Sequence, residues 1–178
     1  MIETVKAIAV EAGQLLRQGQ LEGFQLDRKS SAIDLVTEYD RRTEALIVEK
    51  IRENFPDHSI AGEEGAPHAG TSPEGYRWYI DPLDGTNNFA HHIPHFAGSL
   101  GLFREDVPVL AVIHDPMRQE TYWAEKGQGA FRDGHRLKVS DAPTVGESIL
   151  ASGYPYDRHT DPVDNIAQTG LFLKKCQG

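Results

Sequence analysis

The sequence predicts an α+β fold in which two N-terminal amphipathic helices precede a large, mainly antiparallel sheet. Three observations carry that prediction. Apolar residues near the N-terminus recur at spacings of three and four, a second such run lies between Thr37 and Pro56, and from residue 59 onward short β-prone runs alternate with turn residues.

In chain order, Ile2, Val5, Ile8, Ala9, Ala12, Leu15 and Leu16 share one face of a helix over Ile2 to Leu16. Leu21 to Ile33 is broken by Gly23 and polar residues and reads as a loop or short hairpin carrying Lys29-Ser30-Ser31. Thr37 is an N-cap for a helix to Phe55, with Asp40 near its start and Ala45, Leu46, Val48 and Ile51 as a buried stripe. Pro56-Asp57 stops it. Ser59-Ile60-Ala61 and Arg77 to Ile80 are strand-like and end at acidic residues, with a Gly-, Pro-, Ser- and Thr-rich surface loop over Gly65 to Gly75 between them. His95 to Phe103, Val107 to His114, Glu120 to Ala124 and Gly129 to Val139 read as strands of a meander, with a hairpin at Arg132 to His135. Ser148 to Tyr154 reads as a further strand and Asp164 to Lys175 as a helix.

A chain of 178 residues suits one well-buried domain, and 39% hydrophobic with 25% charged residues excludes disordered and collagen-like classes. A net charge of -9 argues against nucleic-acid and membrane-surface partners, which need basic surface. Cys176 is the only cysteine, so neither an intrachain disulfide nor a Cys-based zinc site forms within the chain. Met1 to Lys6 lacks the pattern of a signal peptide and no stretch is apolar enough to span a bilayer, so the expected location is the cytoplasm.

Chemistry concentrates in Asp81-Pro82-Leu83-Asp84-Gly85-Thr86-Asn87-Asn88-Phe89. Two carboxylates three residues apart are suited to divalent cations, and the N–H groups of a Gly-Thr turn are suited to a phosphate. Asp40, Glu63 and Glu64 also stand at expected element ends, where the sheet fixes a side chain and leaves it open to solvent. Oxygen donors without His or Cys favour Mg²⁺ or Mn²⁺ over zinc. A pair of such ions roughly 3.5–4 Å apart is one way to activate water against a phosphate ester. His91, His92, His95 and the pair His114-Asp115 are assigned to structure rather than ligation, because the carboxylates already account for a cation. Lys29 is divided between positioning water and a solvated loop role. Ser152-Gly153-Tyr154 lacks the flanks of a nucleophile elbow.

The Asp81 to Phe89 segment resembles the signature of the inositol monophosphatase family. Gly62-Glu63-Glu64, Lys29-Ser30-Ser31 with Asp34 to Thr37 and Asp40, Ile93 to Phe96, and Gly127 to Phe131 occur in the matching order. The resemblance implies a layered α/β sandwich of the inositol monophosphatase and fructose-bisphosphatase type, with residues 1–146 forming an N-terminal α+β metal-binding domain. It also implies a magnesium-dependent, lithium-sensitive phosphatase that acts on a small phosphorylated metabolite and is a homodimer when complete. By position, Glu63, Asp81 and the Leu83 carbonyl would hold one metal ion, and Asp81 and Asp84 would contribute to a second. Beside Asp84, the N–H groups of Gly85 and Thr86 would receive the substrate phosphate. Glu63 and the Thr86 hydroxyl would orient water, Asp40 would hold that Thr, and Glu64 would be a neighbour rather than a ligand. Family members continue into a second α/β half with a Trp-Asp motif, and here neither Trp78 nor Trp123 precedes an Asp. Residues 147–178 are therefore expected to begin a truncated C-terminal α/β domain. Inositol phosphate is the favoured substrate; a bisphosphate nucleotidase or fructose-bisphosphatase relative, and a non-catalytic metal-binding remnant, are the alternatives. Asn87-Asn88-Phe89 separates the first from nucleotidases, which tend to carry Lys-Glu-Phe.

Overall fold

The computed structural model describes residues 1–28, 35–65, 67–155 and 159–178. Lys29-Ser30-Ser31 and Asp34 lie outside these described residues. The chain divides into two compact units, Met1–Leu137 and Lys138–Gly178, whereas the sequence suggests a division after residue 146.

Helix α1 (Ile2–Glu22) runs past the Leu16 end that the apolar spacing suggests. Its buried stripe continues through Gly13 and Gly19, which have no side chain to register in an apolar pattern. Both are sites of close packing: a Cβ at Gly19 would lie 2.8 Å from the Tyr39 ring, and one at Gly13 would lie 2.3 Å from the His114 ring. Gly13→Ala is expected to lower the unfolding free energy by about 1–3 kcal/mol, because a buried imidazole would have to move. Ala is the better helix former by only up to about 1 kcal/mol, so a urea titration should show net destabilisation.

After α1, strands β1 (Leu26–Arg28) and β2 (Leu35–Thr37) pair antiparallel, the short-hairpin alternative for this segment. Helix α2 (Glu38–Asn54) starts where the sequence predicts. Thr37 is its N-cap in a capping box with Asp40, and Phe55 is its C-cap.

The remaining strands of this unit are β3 (Ser59–Gly62), β4 (Tyr76–Asp84), β5 (Ala97–Arg104), β6 (Val107–Asp115), β7 (Glu120–Glu125), β8 (Gly129–Arg132) and β9 (His135–Arg136). The short helix α3 (Thr86–Ala90) lies between β4 and β5. The strands form one seven-stranded sheet in the order β3-β4-β5-β6-β7-β8-β9. All neighbours are antiparallel except β3 and β4, which run parallel. The meander is thus as the sequence predicts, apart from its last run: Gly129 to Val139 is a β8–β9 hairpin that ends at Arg136.

The two helices and one sheet face share a core. Val5, Ile8, Ala9 and Ala12 of α1 and Ile47 and Ile51 of α2 pack with Ile60, Trp78, Ile80, Leu100, Leu102, Leu110 and Val112. A second cluster joins Leu16 and Tyr39 to Leu83, Phe89 and Phe96, so the apolar residues of the Asp81 to Phe89 segment anchor it to the helices. Trp78, fully buried, donates its indole N–H to Nδ1 of His58 at 3.0 Å, and His58 stacks on Phe55 and Tyr76.

That bond requires a bare Nδ1 and therefore a neutral His58. Burial lowers the pKa of His58, against the raising charges of Asp57 and Glu74. Burial also lowers that of His114, against Asp115 and Asp133. Each imidazole binds its proton less readily folded than unfolded. Their contribution is therefore complete above the unfolded value of 6.5 and is lost as pH falls through the lower folded values. Urea midpoints should decline below about pH 6.5, and His58→Asn should make that decline shallower.

In the second unit, a short 3₁₀ turn spans Val145–Glu147 and helix α4 spans Ile166–Leu173, within the helix predicted over Asp164 to Lys175. Ser148 to Tyr154, expected as a strand, forms none. Leu150 N–H donates to the Gly178 carbonyl and Gln177 N–H to the Ser148 carbonyl, too little ladder to define one. Ile149 is 81% exposed, so burial does not fix a register there. Among the described residues, no helix is long and apolar enough to cross a membrane.

Candidate metal and phosphate site

The parallel pairing of β3 with β4 matches Gly62 to Ile80, so the next residues, Glu63 and Asp81, emerge side by side at one end of the sheet. In the β4–β5 pairing, Asp81 matches Ser99 but Asp84 matches Ala97, which leaves one extra residue on β4. Pro82, with no N–H to give, sits in this bulge, and buried Leu83 pins it to the core. The Leu83 N–H donates to Asp81 Oδ1 at 3.1 Å.

The pKa of Asp81 is raised to about 7, first by burial and then by the charges of Glu63 and Asp84; a hydrogen bond with Glu63 adds to the rise and the Leu83 N–H opposes it. The three carboxyl groups therefore share one electrostatic environment. Among the described residues, no three His, Cys, Asp or Glu side chains are already gathered as ready-made ligands, and mutual repulsion of carboxylates opposes such a gathering. Beside Glu63 and Asp81 lies an open cleft of about 480 Å³, lined also by Tyr79, Ser99, Gly101 and Phe103. A larger groove of about 780 Å³ runs along Val48, Arg52 and His68, with Glu49 and Glu53 also in its lining.

Gly85 adopts φ 93°, a left-handed conformation that suits glycine, and serves as N-cap of α3. A Cβ there would lie 3.1 Å from the His95 carbonyl. The Thr86 hydroxyl lies 3.1 Å from Asp40 Oδ1 and 3.0 Å from the Leu83 carbonyl, either of which can take its single proton. Asp40 Oδ2 accepts from the Thr37 N–H at 2.7 Å and the Thr37 hydroxyl at 2.6 Å. Asp40 is only 2% exposed and its Oδ2 is committed to Thr37, which fixes Oδ1 where it can orient the Thr86 hydroxyl.

Of the histidines near the signature, His92 packs against Phe24 and His95 Nδ1 lies 3.3 Å from Arg118. His114, 6% exposed, bonds through Nδ1 to the Thr121 hydroxyl at 2.9 Å. Arg118 binds Asp115 at 2.6 Å, which helps hold the Asp115 pKa below its usual range against the opposing effect of burial. Ser152 bonds Thr169 at 2.8 Å.

Two participants escape the sequence reading. Asn88 donates to the His95 carbonyl at 2.8 Å, bracing the segment that covers Gly85. Glu44 lies under the Glu63-Glu64 turn and accepts the Glu64 N–H at 2.8 Å. Its signal was an acidic residue one helical turn beyond Asp40, on the face that carries Ile47 and Ile51.

The family model described as the inositol monophosphatase family matches residues 1–178. The chain belongs to the inositol monophosphatase family. Within that family it is 41% identical over 170 residues to the Nus factor SuhB of Pseudomonas aeruginosa, covering 93% of this chain and 62% of that one. It is 42% identical over 154 residues to an inositol-1-monophosphatase of Synechocystis, covering 86% of this chain and 53% of the relative. The crystal structure of the suppressor protein SuhB from Bartonella henselae superposes with a TM-score of 0.90 at 30% identity, over 99% of this chain and 68% of that one. The chain spans between half and two thirds of the length of these curated relatives.

Proposed function

We propose that Glu63, Asp81 and Asp84, drawn together by a bound cation, form with the adjoining Gly85-Thr86 turn a divalent-cation-dependent site for hydrolysing a small phosphate monoester. The observation that carries the reading is Asp81, half-buried within the charge influence of Glu63 and Asp84 and followed by a backbone turn suited to an anion. The donor set fits Mg²⁺ or Mn²⁺: carboxylates of Glu63, Asp81 and Asp84 and the carbonyl of Leu83 are hard oxygen donors whose repulsion a divalent charge relieves. When bound, such an ion supplies Lewis-acid charge that polarises a phosphate ester and acidifies water.

The chain's own groups do the rest. Gly85 and Thr86 offer N–H donors to the phosphate oxygens. Thr86, its proton directed to Asp40 or the Leu83 carbonyl, keeps lone pairs with which to accept a hydrogen bond from water, and the Glu63 carboxylate completes the water's orientation. No covalent enzyme intermediate is needed in this scheme.

The similarity to a relative named inositol-1-monophosphatase favours an inositol monophosphate as substrate. The test is phosphate release from myo-inositol 1-phosphate, a 3′,5′-bisphosphate nucleotide and fructose 1,6-bisphosphate, with and without Mg²⁺ and with added Li⁺. Mg²⁺-dependent, Li⁺-inhibited release that is fastest from the inositol ester is expected. Preference for either bisphosphate would transfer the site to the nucleotidase or fructose-bisphosphatase reading.

A further inference from the structure

We infer that Glu44 is a positioning residue for this site: its buried carboxylate fixes the Gly62–Gly65 turn and so sets where Glu63 stands beside Asp81. The inference rests on the phosphatase reading above for its functional consequence, and on packing alone for the contact.

Glu44 is only 5% exposed on α2, in the same buried stripe as Asp40, Ile47 and Ile51. Burying a carboxylate is costly unless its oxygens find donors, so its burial on this face calls for a reason. Its Oε2 accepts the Glu64 N–H at 2.8 Å. A Cβ on Gly62 would lie 2.5 Å from the Glu44 carboxyl carbon, and one on Gly65 would lie 2.7 Å from Oε1. Neither glycine has the positive φ that would call for glycine on conformational grounds. What these two positions have in common is that their missing side chains make room for the carboxylate. Glu63 lies between them.

A second relation gives the contact its purpose. Asp40 and Glu44 are one helical turn apart on one face of α2, and side chains so spaced are neighbours about 5–6 Å apart at Cβ. Asp40 holds Thr86, just beyond β4, and Glu44 holds the turn just beyond β3. One rigid helix therefore carries two carboxylates that fix the two walls of the site relative to each other. The like charges at this spacing oppose folding slightly, which stability alone would not favour.

The experiment compares the whole chain with Glu44→Ala, Glu44→Gln and Gly65→Ala, measuring Mn²⁺ binding by electron paramagnetic resonance and hydrogen exchange at the Glu64 amide. Glu44→Ala should weaken Mn²⁺ binding by about 10–100-fold, the usual effect of removing a group that orients a ligand. It should also raise Glu64 exchange. Gly65→Ala should do both while leaving α2 untouched, which keeps the test valid if Glu44→Ala does not fold. Glu44→Gln, whose amide oxygen still accepts the N–H, should recover most of the affinity. Parental Mn²⁺ affinity in folded Glu44→Ala or Gly65→Ala would overturn the inference, as would unchanged Glu64 exchange. If the parent binds no Mn²⁺, the phosphatase reading fails instead, and Glu64 exchange alone then decides whether Glu44 holds the turn.

Discussion

Asp81→Asn is expected to remove catalysis while making the fold more stable. Asp81 is the carboxyl that the other two acids crowd, and its pKa of about 7 against an ordinary 3.8 shows that its ionised form is disfavoured in the folded state. The unfolded chain surrenders this proton first, so at pH 8 the folded state alone bears the penalty of the buried charge. Asparagine removes that penalty. A gain of about 1–2 kcal/mol is expected, after allowance for the solvent that still reaches the group, and urea unfolding at pH 8 without divalent ions reads it. Activity should move the other way. Asp81 is the one side chain common to both predicted cation positions, and losing several kcal/mol of transition-state stabilisation corresponds to a fall in kcat/KM of about 10³-fold or more. Loss of both activity and stability would mark Asp81 as structural.

Asp40→Ala has the second large effect, with stability and activity falling together. The substitution leaves the Thr37 N–H and hydroxyl without the oxygen they share and removes the Asp40 partner of Thr86. Loss of the capping-box partner and of the acceptor for buried donors each costs about 1–2 kcal/mol, so unfolding should require about 2–4 kcal/mol less. Asp40→Asn keeps an acceptor oxygen and offers Thr86 an amide, so most of the stability should return. Activity should recover less, because Thr86 is then no longer directed by a charged acceptor.

How legible the fold was in the sequence follows from what each residue type discloses. Thr37 and Asp40 state a capping box in the letters themselves, and α2 begins where they place it. The 3.6-residue period shows α1 up to Leu16 and then loses it, because Gly19 buries backbone against Tyr39 with no apolar side chain to count. The meander was readable from alternation and turn residues, since each of its strand pairs is local. Direction in the β3–β4 pair was not, because Ser59–Gly62 looks the same in either orientation. Ser148 to Tyr154 has the composition of a strand, yet composition specifies no ladder partner. Among the site residues, the neighbourhood of Glu63, Asp81 and Asp84 and the Asp40 bond to Thr86 were legible through the family signature. Glu44 was not, since its role depends on two glycines that only the fold brings against it.

Glu63, Asp81 and Asp84 are expected to form a cation site. Calorimetric titration of Mg²⁺ into the parent chain and into Glu63→Gln addresses it most directly. Saturable binding by the parent, weakened at least tenfold in Glu63→Gln, is expected. Equal binding by the two proteins, or none by the parent, would contradict it.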